Sequence, residues 1–347
     1  MKKIAKIILT CFGCFIGVII IIIAGLILLG KGNLSLPVAK KEVFEVDNKD
    51  KYAQALYVKD NKIFNESGEQ ILLKGVMVPE VQKLDIEDEF NQEYFEQVFA
   101  SGGNVIRIPV HPNEWADDEY YLWRYLDPIV TWAIEYNKYV IIDLHFIGNI
   151  ETGMGSEMVD VGINPYNFSN EFWNMVASYF KDVPNTIFEI YNEPAAISGE
   201  VWKKYANSLV DTIRKTGANQ LILVSGIDYS YDLSCWENEP LEDANIAYTA
   251  HIFPNRIDWK QKFESIADTL PIVVTEWGYA SEDGLVEQNY LVGNGESYGE
   301  PLIQFIGKHN MGWIACWYDD GWEPPMFYEG MDEMTAWGMF VMEQLKK

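Results

Sequence analysis

The sequence predicts an α/β fold, a closed (β/α)8 TIM barrel preceded by a single N-terminal transmembrane helix. Three observations carry that reading. An uncharged apolar run fills residues 7–29, about eight short runs rich in β-branched residues follow, and amphipathic stretches separate those runs. Strands that are apolar almost throughout belong to a parallel sheet covered on both faces. About eight of them, alternating with helices, fit a closed barrel of one domain better than an open sheet. The competing architecture is the open doubly wound sheet, but no strand is followed by the GxGxxG turn that would support it.

The first element is the apolar run. Residues 7–29 are enough to cross a hydrocarbon layer of about 30 Å. Lys2, Lys3 and Lys6 precede the run and Lys31 follows it. The bias of basic residues toward the inner side puts the N-terminus in the cytoplasm and the rest of the chain outside. A cleaved signal peptide is the rival reading. It calls for a shorter apolar region and a small-residue cleavage pattern, and no A-x-A motif follows Leu29. The expected organisation is a basic start and signal-anchor helix over 1–30, a polar tether over 31–51, and a catalytic barrel over 52–347. The expected location is the cell membrane, single-pass, with the barrel extracellular.

Four of the 26 basic residues flank that run, which leaves 22 against 52 acidic residues in the remainder. So acidic a surface repels phosphate backbones, which excludes nucleic acid as a partner and favours a neutral polymer. Tryptophan and tyrosine are plentiful, at 12 and 20, and flat rings suit the faces of sugars. Cys11 and Cys14 lie in the apolar run, while Cys235 and Cys316 are far apart in the remainder. No CxxC pair accompanies a histidine cluster, so neither a zinc site nor any other cofactor is expected.

The barrel opens with a hairpin, LYV at 56–58 and KIF at 62–64, then the turn Glu66-Ser67-Gly68 and QILLKGV at 70–76. Later strands are NVIRIPV at 104–110, YVIIDLH at 139–145, TIFEIYN at 186–192, QLILVSG at 220–226, NIAYTAH at 245–251, PIVVTE at 271–276 and GWIACWY at 312–318. Apolar residues at three-to-four spacing predict helices over 91–100, 119–136, 169–180, 199–215, 259–270 and 332–345.

In such a barrel the active site lies at the C-terminal ends of the strands. The second strand ends near Arg107 and His111, the third at His145, and the fourth at Asn192-Glu193-Pro194. The sixth ends at His251, the seventh at Glu276-Trp277 and the eighth at Trp317. Two carboxylates facing each other are the minimum equipment for glycoside hydrolysis, one protonated to release the leaving oxygen and one ionised to attack carbon. Arg107 beside one would keep it ionised, and burial among aromatics would keep the other protonated. Singly, each residue also has an ordinary structural use, as a first-turn acid, an ion-pair partner or a hydrogen-bonded core histidine.

The text IFEIYNEP at 187–194 and VVTEWGY at 273–279 resembles glycoside hydrolase family 5, the cellulase family. NVIRIPV, IIDLH, YTAHIF at 248–253 and the opening NESGEQILLKGV at 65–76 agree with it. The resemblance spans most of 56–345 and implies a retaining mechanism on a β-linked polysaccharide. Glu193 would be the acid/base and Glu276 the nucleophile. It further implies that Asn192 binds the sugar 2-hydroxyl, that Arg107 contacts the nucleophile, that His145 and His251 orient carboxylates and sugar, and that Trp317 is the platform at the cleavage subsite. The family commonly has a tyrosine on the nucleophile two residues after the sixth-strand histidine. Phe253 stands there, so the missing hydroxyl either changes the setting of Glu276 or is replaced by a tyrosine from elsewhere, such as Tyr248 or Tyr279. Endo-β-1,4-glucanase, β-mannanase and other β-glycanase remain open, with the loops at 148–164 and 319–327 as determinants. A non-catalytic carbohydrate-binding barrel is the alternative of another class.

Overall fold

The computed structural model describes residues 38–155, 163–281 and 286–347. Eight parallel strands close a barrel in sequential order. They are β1 (Lys74–Met77), β2 (Val105–Val110), β3 (Tyr139–Leu144), β4 (Thr186–Glu189), β5 (Ile222–Ser225), β6 (Ile246–Ile252), β7 (Ile272–Trp277) and β8 (Gly312–Ala315). Each is apolar because both faces are buried, yet alternation survives inside the runs. Val105, Ile141, Ile187, Leu223 and Val273 point into the barrel and form one cluster with Leu73 and Met77. Ile106, Val140, Phe188, Ile222 and Val274 point outward against the helices. This period of two fixes which polar residues face the axis nearer the C-terminal rim. Gly75 lets β1 and β2 approach, since a Cβ there would lie 1.8 Å from the Val105 carbonyl oxygen.

The hairpin, Leu56–Lys59 paired antiparallel with Lys62–Asn65, closes the N-terminal mouth. Leu56 and Ile63 join the inner cluster, and Asn245 at the start of β6 bonds the Val58 amide at 3.1 Å and the Leu56 carbonyl at 3.0 Å.

The longer helices follow the predicted stretches with two differences, and short helices such as Val81–Ile86 and Pro112–Asp117 lie outside them. The stretch expected as one helix over 119–136 contains a π-turn, Leu122–Leu126, before the α-helix Asp127–Glu135. Pro128 has no N–H for a bond one turn back, and the wider turn accommodates the gap. A helix not predicted, Glu300–Lys308, links β7 to β8. Its start is hidden in sequence by the glycine-rich GNGESYG, which folds as a second π-turn over Gly295–Gly299.

The expected membrane helix lies outside the described residues. Among the described residues no helix is long and apolar enough to cross a membrane. The expected tether over 31–51 does not stay free of the barrel throughout. Phe44 is buried against Tyr179 and Phe180, and its amide bonds the Tyr179 carbonyl at 3.0 Å. The polar residues around Phe44 conceal a single apolar anchor.

Candidate active site

All seven residues singled out in the sequence, Arg107, His145, Asn192, Glu193, His251, Glu276 and Trp317, meet at the C-terminal rim. Arg107 on β2 is the hub and has no exposure. Its Nε donates to Glu189 at 2.6 Å, and Nη1 to Glu276 at 2.7 Å. Nη2 donates to the Asn192 side-chain oxygen at 2.7 Å and pairs with Asp143 at 3.0 Å. Burial opposes its charge, but Asp143, Glu189 and Glu276 outweigh burial and hold the guanidinium protonated.

Asp143 and Glu189 escaped the sequence reading. Both are fully buried, and both share the inward parity of the apolar residues below them on β3 and β4. A charged residue at an inward position of a strand buried on both faces was the available signal. Burial pushes the Asp143 carboxyl up to about 7, with Arg107 opposing, and pushes the His145 imidazole down to about 3. The neutral His145 ring donates from Nδ1 to Asp143 at 2.6 Å, which turns its other nitrogen to the cleft.

The two glutamates sit in opposite surroundings. Glu276 has one oxygen on Arg107. Glu193 is pushed up to about 8 by burial, against the attraction of Arg107 and Arg256. The network around His251 agrees. The Thr275 hydroxyl donates to Glu189 at 2.9 Å, so its oxygen accepts from His251 Nε2 at 3.2 Å. Burial keeps His251 neutral, so Nδ1 is the bare nitrogen. It faces Glu193 at 2.7 Å and accepts a hydrogen bond from the protonated carboxyl. His251 Nδ1 also lies 3.6 Å from the second Glu276 oxygen.

One ligand atom from each of Glu193, His251 and Glu276 lies within 4.8 Å of the others, close enough to surround a cation. Arg107 bonds one oxygen of Glu276, and His251 already shares a hydrogen bond with Glu193. The donor set reads as a proton-handling cluster. Each glutamate thus brings an oxygen within 4.8 Å of the other's.

Above the buried Arg107, the residues His145, Asn192, Glu193, His251, Glu276 and Trp317 line a cleft of about 720 Å³. Trp317 forms part of its floor, with its indole nitrogen on the Glu323 carbonyl at 2.9 Å. The loop after β8 adds Trp322, edge-to-face with Trp317 at 4.8 Å, and the far end holds Tyr229 and Arg256. Phe253 lines the cleft too. Neither expected substitute for its missing hydroxyl is there. The Tyr248 hydroxyl accepts from the Leu241 amide at 2.9 Å, and the Tyr279 ring packs on Trp337 and Phe340. Tyr290 stands beside Phe253 instead, with ring centres 5.3 Å apart. A larger cavity of about 950 Å³ opens at the opposite end of the barrel and holds none of the converging residues.

A TIM barrel with paired glutamates, a buried arginine and an aromatic-walled cleft at its C-terminal rim defines a glycosidase. Residues 64–320 match the family Cellulase (glycosyl hydrolase family 5), and the chain belongs to that family. An endoglucanase of Clostridium saccharobutylicum is 28% identical over 61% of this chain and 45% of its own length. Endoglucanase A of Butyrivibrio fibrisolvens is 26% identical over 69% of this chain and 55% of its own. The chain spans about half the length of these curated relatives. A beta-glucanase of Saccharophagus degradans, solved in complex with cellotetraose, superposes with a TM-score of 0.81 at 26% identity, over 91% of this chain and 100% of that one.

Proposed function

We propose that the chain is a retaining hydrolase of β-linked glucan, endo-β-1,4-glucanase-like, with Glu276 as nucleophile and Glu193 as acid/base. The observation that carries the reading is the pair of nearby carboxylates in opposed environments, one on a guanidinium and one protonated. Retention needs carboxyl groups about 5–5.5 Å apart, whereas inversion needs about 6.5–9.5 Å to admit a water. One oxygen from each glutamate within 4.8 Å of the other supports the shorter arrangement.

A Glu276 oxygen bonds the anomeric carbon as the glycosidic bond breaks, and the Glu193 proton passes to the leaving oxygen. Glu193, now ionised, takes a proton from water as that water displaces Glu276. Arg107 holds Asn192 by its oxygen, leaving the amide nitrogen for the 2-hydroxyl of the sugar. His145 offers Nε2 to the substrate, His251 orients Glu193, and Trp317 supports the ring at the cleavage point. The cellotetraose held by the Saccharophagus relative supports a β-glucan substrate.

The test offers the full chain carboxymethyl-cellulose, mixed-linkage glucan and mannan, with and without chelator. Release of reducing sugar from the glucans, insensitive to chelator and lost in Glu276→Ala, is expected. Turnover persisting in that variant would remove Glu276 from its role, and preference for mannan would replace the substrate. We also propose single-pass anchoring through residues 7–29 with the barrel outside the cell, on the strength of the uncharged run and its flanking lysines. Fractionation with alkaline extraction and protease accessibility on intact cells checks this. Soluble chain after extraction argues against the anchor.

A further inference from the structure

We propose that the loop after β5 is a positioning device for the proton donor, in which Ser230 clamps the peptide that carries Glu193. It rests on the reading of Glu193 as acid/base. Asp228, Tyr229 and Ser230 have φ of 55°, 59° and 56°, three consecutive left-handed residues with no glycine among them. Left-handed backbone is strained for any residue that carries a side chain, so the turn persists only because its surroundings impose it.

Those surroundings are visible. Ile227 and Asp232 exchange two backbone hydrogen bonds of 2.9 Å across the turn. Gly226 before it has no room for a side chain, since a Cβ would lie 2.5 Å from the Asp232 carbonyl oxygen. Arg256 pairs with Asp228 at 2.9 Å. The turn sends two neighbours in different directions. Tyr229 is exposed and lines the same cleft as Glu193, while Ser230 is fully buried.

The Ser230 hydroxyl donates to the Asn192 carbonyl at 2.5 Å. That carbonyl belongs to the same peptide as the Glu193 amide, which donates to the Phe146 carbonyl at 2.9 Å. Both ends of one peptide plane are therefore held, and Glu193 cannot pivot by rotation of that plane. Ser225 repeats the device one residue earlier, on the Tyr191 carbonyl at 2.5 Å. A proton donor must meet the leaving oxygen in line, so freeing this plane should harm protonation more than any other step.

The experiment compares full-length wild type, Ser230→Gly and Ser230→Ala on two substrates. Cellopentaose needs a protonated leaving oxygen. 2,4-Dinitrophenyl β-cellobioside has a leaving group that departs as a stable anion. Reading kcat/KM confines both to the bond-breaking step. The expected result is a fall of about 10–100-fold on cellopentaose and under about threefold on the aryl glycoside. Glycine suits the left-handed region, so Ser230→Gly should melt near wild type and separate the effect from unfolding. Equal losses on both substrates, or none on cellopentaose, overturn the clamp. Wild type inert toward both substrates overturns the β-glucan hydrolase reading, and the clamp with it.

Discussion

Arg107 sits within reach of three carboxylates, and removing it strands them. Arg107→Met should destabilise the chain by about 3–5 kcal/mol at neutral pH, because uncompensated buried charge is costly. The deficit should shrink in acid, where the carboxyls carry protons and need no partner. Denaturant melts at pH 7 and pH 4.5 check both parts. Glu193 has the opposite sign. Its folded pKa of about 8 lies above the ordinary value of 4.5, so the stability it contributes is full below about pH 4.5 and gone once pH has risen through about 8. Glu193→Gln should therefore gain stability over wild type across that window, by on the order of 2–4 kcal/mol, and gain no more above it. A gain that grows toward low pH would mean the carboxyl is ionised in the fold. On the proposed reading of Glu193 as acid/base, the basic limb of kcat/KM on glucan should fall near pH 8.

At the scale of elements, the loop after β8 is held from outside the barrel. Buried Asp319 accepts from the Trp322 amide at 2.7 Å and the Gly321 amide at 3.2 Å, and its other oxygen pairs with Lys83 at 3.0 Å. The carboxylate thus fixes Trp322 in the cleft. Trp322→Ala and Asp319→Ala should each raise KM on glucan about 5–10-fold, with kcat less affected, since aromatic contact with bound sugar is being lost. The double variant should be little worse than either single one, because both act on one ring. Additive losses would detach Asp319 from Trp322. The sequence marked this loop as a determinant through its position after the eighth strand, but not which ring it presents. Elements with clear periodicity, such as the helix Gly199–Lys215, were legible end to end. The helix Glu300–Lys308 was not, because glycines and Pro301 mask its first turn.

For the whole molecule, the compact unit begins at Lys41, ahead of the hairpin. A chain starting at Lys41 should keep its Tm and glucan activity. One starting at Leu56 loses buried Phe44, Tyr52 and Ala53 and should melt lower, consistent with about 2–5 kcal/mol for an exposed aromatic anchor site. Calorimetry of the two truncations decides it. Equal melting would mean that residues 41–55 contribute no packing.

By itself the sequence determined the approximate number and order of the staves, and the side-chain types at their ends. Those follow from local rules: β-branched runs, helical spacing, and the tendency of strand ends to share one rim. On that basis Glu193 and Glu276 could be paired although 83 residues separate them. Only the closed barrel decided what lies beneath them. Asp143 and Glu189 matter because inward parity on β3 and β4 points them at Arg107. Tyr290, not Tyr248 or Tyr279, stands by Phe253 because loop paths choose cleft neighbours. The proton on Glu193 likewise depends on burial and on His251, and neither exists before strands far apart in sequence become neighbours in space.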